Sequence, residues 1–239
     1  MDGMAIMSTQ VIIPARMESE RLPGKPLAVV MGKPLIIRVI EGVHSDSYST
    51  VVATDSVRIL QTVQSFGYEA VLTGKASNGT ERVFMAWEKL GRPEGLIVNL
   101  QGDEPGADPS WVSALTADPP SGNQVVTLSR RVSALKAADP SVVKVVCNRK
   151  GQALYFSRSL IPWNGKVFSQ HIGVYCFTHE SLPLCAGMTG TPLSAAENLE
   201  QLTWMENGID VRVIEGDWNG MGVDTPEDLE EARRWFKNS

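Results

Sequence analysis

The chain has 239 residues, 43% hydrophobic and 21% charged, with 21 Gly and 14 Pro and no low-complexity tract, which excludes a disordered or fibrous protein. The formal net charge is −5, from 22 Lys+Arg against 27 Asp+Glu, and the positive residues gather only in one early loop, so no extended nucleic-acid track is expected. Cys147, Cys176 and Cys185 are an odd number without CxxC spacing, against both a disulfide framework and a zinc site. The N-terminal stretch lacks the pattern of a secretory signal, and no apolar run approaches the ~20 residues of a membrane span. A cytoplasmic protein without membrane association is the expectation, and the length suits one main α/β core, with or without an inserted lobe.

In chain order, the apolar run 11–13 predicts a strand that ends at Pro14 and passes through a Gly/Pro-containing loop to a helix over 35–43. The alternation continues with a strand at 50–53, a helix at 57–66, a strand at 70–72, a helix at 80–90 and a buried strand at 96–100. Strands alternating with short helices imply βαβ units and a mostly parallel sheet. The middle is less regular, with strands expected at 125–128, 142–147, 153–156 and 172–177 that form an antiparallel lobe or extend the sheet. A helix over 194–207 and a strand at 211–214 follow. The last helix is well marked, with Thr225 as N-cap, Pro226 at the first helical position and Asp228 completing a capping box.

Chemistry collects where strands end. The loop after the first strand carries Arg16, Arg21 and Lys25 beside Gly24, a set suited to a polyphosphate; a solvated loop whose cations pair with Glu18 and Glu20 is the competing reading. Lys25 is followed by Pro26, so this is not a Walker loop. The strand at 96–100 delivers Gln101, Asp103 and Glu104, and Asp224 precedes the last helix. If Asp103 and Asp224 converge, one Mg²⁺ fits between them, although singly each is an ordinary turn or helix-start residue. Alternation along a strand sets His171, Gly173 and Tyr175 on one face, with room for a polyol or carboxylate, or else as packing residues. Glu197, Glu200 and Gln201, at helical spacing, share a face suited to sugar hydroxyls or simply to water. The segment 77–82 joins a turn to a helix start that suits a base or ribose.

In order, these segments resemble one family over nearly the whole chain. Ile13-Pro-Ala-Arg16, Arg21-Leu-Pro-Gly-Lys-Pro-Leu27, Ala53-Thr-Asp55, Gly79-Thr-Glu-Arg82, Asn99-Leu-Gln-Gly-Asp-Glu-Pro105, Val143-Lys-Val145, Ala153-Leu-Tyr-Phe-Ser-Arg158, His171-Ile-Gly-Val-Tyr175, Leu199-Glu-Gln-Leu202 and Gly222-Val-Asp-Thr-Pro-Glu-Asp228 are similar to bacterial 3-deoxy-manno-octulosonate (Kdo) cytidylyltransferases. The resemblance implies a Rossmann-like nucleotide-diphospho-sugar transferase fold: a mostly parallel mixed sheet flanked by helices, in one domain over 1–239. An inserted lobe over about 125–210 would serve acceptor binding and dimerisation. It also implies an Mg²⁺-dependent homodimer that takes CTP and an acidic sugar.

By the same resemblance, Ala15, Arg16, Arg21, Lys25, Gly79, Arg82 and Asp103 bind the nucleotide, and Asp103 and Asp224 bind the metal. Gln101, His171, Tyr175, Glu200 and Gln201 bind the acceptor, while Lys25, Arg16, Asp103 and Asp224 carry the catalysis. Departures from the family pattern include the shortened segment 73–80 without the usual His, Glu20 before the loop arginine, Thr203, Ser194 and the short connection from Pro162 to His171, and they cluster on the substrate side. They keep open an amino-Kdo, a sialic-type acid or a small phosphonate as acceptor. A nucleotide-binding regulatory protein without catalysis is the alternative from another class.

Overall fold

Four of the apolar, β-branched runs in the first half of the chain align as parallel strands. A computed structural model describes residues 8–19 and 21–238, and the chain divides into two units: the described parts of Met1–Val112 with Gly220–Ser239, and Ser113–Asn219. Glu20, offered above as a loop partner, lies outside the described residues, as does the start of the chain.

The first unit runs β1 (Thr9–Ala15), a 3₁₀ turn (Lys25–Leu27), a hairpin of β2 (Val29–Val30) and β3 (Lys33–Pro34), α1 (Leu35–Gly42), β4 (Ser49–Thr54), α2 (Val57–Ser65), β5 (Glu69–Leu72), α3 (Gly79–Lys89) and β6 (Leu96–Asn99). The chain leaves the unit within α4 (Pro109–Ala117). Strand β1 pairs in parallel with β4, from Gln10↔Ser49 to Ala15↔Thr54, and with β6, from Thr9↔Leu96 to Ile12↔Asn99; β4 pairs in parallel with β5. Val11, Ile12, Ile13, Val52 and Val98 are fully buried, as strands covered on both faces must be. Because all four strands run the same way, the loops after β1, β4, β5 and β6 leave one edge of the sheet, where open α/β sheets hold ligands.

The second unit holds β7 (Val125–Ser133), α5 (Ala134–Ala137), β8 (Lys144–Cys147), β9 (Ala153–Ser157), β10 (Val167–Thr178), α6 (Ser181–Gly187), α7 (Pro192–Glu197), α8 (Glu200–Glu206) and β11 (Val211–Glu215). Within this unit the expected middle strands pair mostly antiparallel: β10 lies antiparallel to β7 and to β8, and β8 to β9, while β11 joins β7 in parallel. The β10–β7 register slips between Ile172 and Tyr175, a bulge that re-aims the side chains around it. The chain then returns to the first unit as α9 (Pro226–Asn238). There Leu229 and Ala232 bury against Val30, Leu35 and Val223.

One predicted element is corrected. The helix expected over 194–207 is two helices, α7 and α8, broken at Asn198, whose φ is 52°. Asn tolerates this left-handed conformation better than most residues. The break is held from β9: the Glu197 carboxylate accepts hydrogen bonds from Ser157 Oγ (2.6 Å) and the Arg158 amide (2.8 Å), while Arg158 Nε donates to the Glu197 carbonyl (2.8 Å). Glu197 therefore ties two elements together, and it does not share a helix face with Glu200 and Gln201.

Candidate functional site

The loop after β1 closes on itself before it reaches the hairpin. Gly24 takes the left-handed region at φ 71° and its amide donates to the Met17 carbonyl (3.1 Å); Lys25 N then bonds the Leu22 carbonyl (3.1 Å) and Ala28 N the Lys25 carbonyl (3.0 Å). With Pro26 buried beneath it, the turn fixes the root of the Lys25 side chain.

The loop after β6 is held as firmly. A Cβ on buried Gly102 would stand 2.8 Å from the Pro14 carbonyl oxygen and 3.2 Å from Ile36 Cδ1, so only glycine lets this loop cross the end of β1. Val223 N donates to the Asp103 carbonyl at 2.8 Å, joining the segment before α9 to that loop. The Thr225–Asp228 capping box forms as expected: Asp228 Oδ2 accepts from Thr225 N (2.9 Å) and Asp224 N (3.0 Å), and Asp228 N donates to Thr225 Oγ1 (3.2 Å). Sequence spacing suggested the box but not that it also grips the Asp224 backbone.

These three anchors bring Lys25, Asp103 and Asp224 together. Lys25 Nζ lies 2.5 Å from Asp103 Oδ2 and 3.0 Å from Asp224 Oδ1, and Arg21 pairs with the other Asp224 oxygen at 3.0 Å. Lys25 and Arg21 thus pair with these aspartates rather than with Glu18. Burial pulls the Lys25 ammonium toward a lower pKa, but Asp103 and then Asp224 together outweigh it, and the net shift is upward. Burial likewise works to raise the Asp224 pKa, and the charges of Lys25 and Arg21 reverse this to a net lowering. Lys25 and Asp224 are therefore both ionised at neutral pH. Arg16 stands exposed at the end of β1, next to buried Ala15.

The same donor set fits Mg²⁺. Two carboxylate oxygens already face a single cationic nitrogen, and hard oxygen ligands are what that ion takes. Among the described residues no group of three or more His, Cys, Asp or Glu side chains gathers to enclose a metal. Water and phosphate oxygens would fill the remaining positions, as is usual for Mg²⁺.

Arg82 lies next along the same sheet edge, 4% exposed at its side chain, where it donates to Asp55 Oδ2 (2.8 Å), Thr73 Oγ1 (2.9 Å) and the Gly74 carbonyl (3.3 Å). It fastens the ends of β4 and β5. Gly79 opens α3 behind the N-cap Asn78, beside the Gln101 amide. Gln101 Nε2 donates to Asn99 Oδ1 (3.0 Å), and Asn99 Nδ2 to Thr80 Oγ1 (3.3 Å). Asn99 was not singled out from the sequence, yet an amide inside the apolar run Leu96-Ile-Val-Asn-Leu100 is the signal that would have marked it.

In the second unit His171, Tyr175 and Gln201 gather within a buried aromatic cluster. The His171 and Tyr175 rings are 5.5 Å apart, with Phe156 edge-on to His171 (4.9 Å) and Trp204 edge-on to Tyr175 (4.9 Å). Thr127 Oγ1 lies 3.0 Å from His171 Nε2. Burial pushes the His171 pKa down to about 3, so the imidazole is neutral at physiological pH. Tyr175 donates to Gln201 Oε1 at 3.3 Å, and the Gln201 side-chain NH₂, in a residue 2% exposed, has no hydrogen-bond partner among the described residues. Burial, then the nearby Glu200 charge, raises the Tyr175 pKa well above its usual value. Four of the five expected acceptor residues thus lie together in this unit, and Gln101 belongs to the other.

A cytidylyltransferase family model matches residues 10–212. The chain is similar to the 3-deoxy-manno-octulosonate cytidylyltransferase of Anaeromyxobacter dehalogenans, at 44% identity over 93% of this chain and 95% of the relative. It is 40% identical to that of Porphyromonas gingivalis, covering 97% and 98%. Among solved structures it is similar to a CMP:2-keto-3-deoxy-manno-octonic acid synthetase complexed with CTP, with TM-score 0.86, 38% identity and coverage of 97% and 99%. A putative glucose-1-phosphate thymidylyltransferase from Bacillus anthracis, with TM-score 0.66, 17% identity and coverage of 97% and 96%, shares the fold.

Proposed function

The chain belongs to the cytidylyltransferase family, and we propose that it transfers CMP from CTP to Kdo, giving CMP-Kdo and pyrophosphate. The observation that carries this reading is the meeting of Asp103, Lys25 and Asp224 at the loop edge of a parallel sheet. The anomeric hydroxyl oxygen of the sugar bonds to the α-phosphorus in line as the bond to the pyrophosphate oxygen breaks, and the hydroxyl proton leaves to solvent. No covalent enzyme intermediate is needed, so the protein's contribution is position and charge.

Asp103 and Asp224 would hold Mg²⁺, whose chemistry is to neutralise phosphate charge that would otherwise repel an anionic sugar. Lys25, Arg21 and Arg16 would bind the triphosphate, with Lys25 and Arg16 stabilising the departing pyrophosphate. Ala15, Gly79 and Arg82 line the nucleoside side, where Arg82 orders the loops around it. On the acceptor side the neutral His171 ring offers hydrogen bonding without charge. The Gln201 NH₂ is a ready donor for a sugar oxygen, with Glu200 and Tyr175 beside it in the same unit, and Gln101 is the acceptor residue expected from the first unit. These roles are supported by burial, ion pairing and hydrogen bonding within each unit.

We further propose a cytoplasmic homodimer in which the second unit supplies the acceptor and dimer contacts. Trp163, 95% exposed, with exposed Leu160, Val167 and Leu154 offers apolar surface for a second copy. The free thiols of Cys147, Cys176 and Cys185 suit a reducing compartment, and no helix of the described residues is long and apolar enough to cross a membrane.

The test is pyrophosphate release with CTP, Mg²⁺ and a panel of acids: Kdo, an amino-Kdo, a sialic acid and a small phosphonate. Fastest release with Kdo is the expected result. Release with another acid alone would reassign the acceptor, and no release with any would favour a binding protein.

A further inference from the structure

Lys25 occupies an odd place for a lysine meant for phosphate. Its ammonium sits between the two carboxylates, at 2.5 Å and 3.0 Å, with 14% of the side chain exposed. We infer that Lys25 is the resident counter-ion of the Asp103–Asp224 pair. It yields that place to a divalent cation only as its ammonium passes to a phosphate of the nucleotide, so that metal and nucleotide load together. The inference rests on the metal and phosphate roles proposed above and adds a dependence between them.

Lys25 and a metal need the same oxygens, Asp103 Oδ2 and Asp224 Oδ1. A dication arriving alone would leave a largely buried ammonium beside it without its anions, a costly arrangement. A triphosphate removes that cost by offering Lys25 new oxygens. The backbone of the 3₁₀ turn need not move, because the four-carbon stem can swing the ammonium from one set of oxygens to the other. The exchange moves a charge and transfers no proton. Arg21 differs: it pairs with the other Asp224 oxygen, Oδ2, and its side chain is 58% exposed. By linkage, whatever factor CTP adds to metal affinity, the metal adds to CTP affinity.

The experiment measures Mn²⁺ binding without nucleotide, from the electron paramagnetic resonance signal of free Mn²⁺, in the full chain and its variants. Lys25→Met is expected to bind Mn²⁺ at least about tenfold more tightly than the unaltered protein, within the usual range of such couplings. Arg21→Met, which removes the same charge nearby, should gain less than about threefold. Lys25→Gln, which keeps a polar tip, is the second variant should Lys25→Met not fold by near-ultraviolet circular dichroism. Equal gains in Lys25→Met and Arg21→Met, or none in Lys25→Met, would overturn the counter-ion role while leaving the metal assignment standing. Adding Asp103→Asn to Lys25→Met should abolish the gain. If instead Mn²⁺ affinity is unchanged by that second substitution, the metal assignment fails and the inference falls with it.

Discussion

Asp228 accepts a hydrogen bond from the backbone amide of Asp224 at 3.0 Å, so the cap of the last helix also orients a residue of the Lys25–Asp103–Asp224 cluster. Removing the carboxylate with Asp228→Ala should cost about 1 kcal/mol as a lost cap. It should also slow turnover by about 10- to 100-fold, the scale seen when support for a metal ligand is lost. Thr225→Ala removes only the reciprocal half of the box. It should match the loss in denaturant midpoint with a much smaller loss of turnover, measured as pyrophosphate release.

Asp103→Asn keeps the shape of the side chain and removes its charge. Turnover should fall by about 10³-fold or more, in keeping with the several kcal/mol that a phosphate-neutralising metal contributes. Because Gly102 and the Val223–Asp103 backbone bond are untouched, the thermal midpoint should stay within a few degrees. Near-normal release of pyrophosphate would remove Asp103 from the site.

His171 gives the second unit a pH signature. Its pKa in the folded chain is about 3 against an ordinary 6.5, so between those values the unfolded chain binds a proton that the folded one does not. Stability from this group is complete above pH 6.5 and is lost as pH falls toward 3, at about 1.4 kcal/mol per pH unit. Urea titrations between pH 7 and 5 should show that slope, and His171→Gln should flatten it. An unchanged slope would mean that another group is responsible.

Lys25 and Asp224 act in other windows. The Lys25 pKa is raised above 10.5, so its contribution is complete below 10.5 and is lost as pH rises through the folded value. The Asp224 pKa is lowered from 3.8, so its contribution is present above 3.8 and is lost as pH falls through the folded value. Asp224→Asn should weaken the thermal midpoint's dependence on pH below about 4 and leave its behaviour between pH 5 and 8 unchanged.

Arg82→Met should destabilise the first unit by about 1–3 kcal/mol, since Asp55, Thr73 and the Gly74 carbonyl lose a buried donor. Arg82→Lys should not rescue it, because a point charge cannot serve three acceptors spread across two strand ends. The urea midpoint decides between this structural role and a purely ligand-binding one, for which it would not move.

Much of this was legible from residue order. Val11-Ile-Ile13, Val51-Val52 and Leu96-Ile-Val98 are continuous β-branched or apolar runs, and burial on both faces of a parallel strand demands that pattern. The Thr225–Asp228 box could be read because capping is a local rule. The break at Asn198 could not. Helical periodicity runs through it, and it exists because Ser157 and Arg158, some 40 positions away in sequence, capture Glu197.

For the same reason Asp103 and Asp224 were each ordinary in sequence. Residue types and spacing determined the α/β class and the loops that bear charge, and the ordered motifs resemble the family to which the chain belongs. That Lys25 stands between two carboxylates, and that His171 is too deeply buried to be charged, only the tertiary structure decided. Ion pairing and desolvation depend on distances between segments far apart in the chain, and no local pattern encodes those distances.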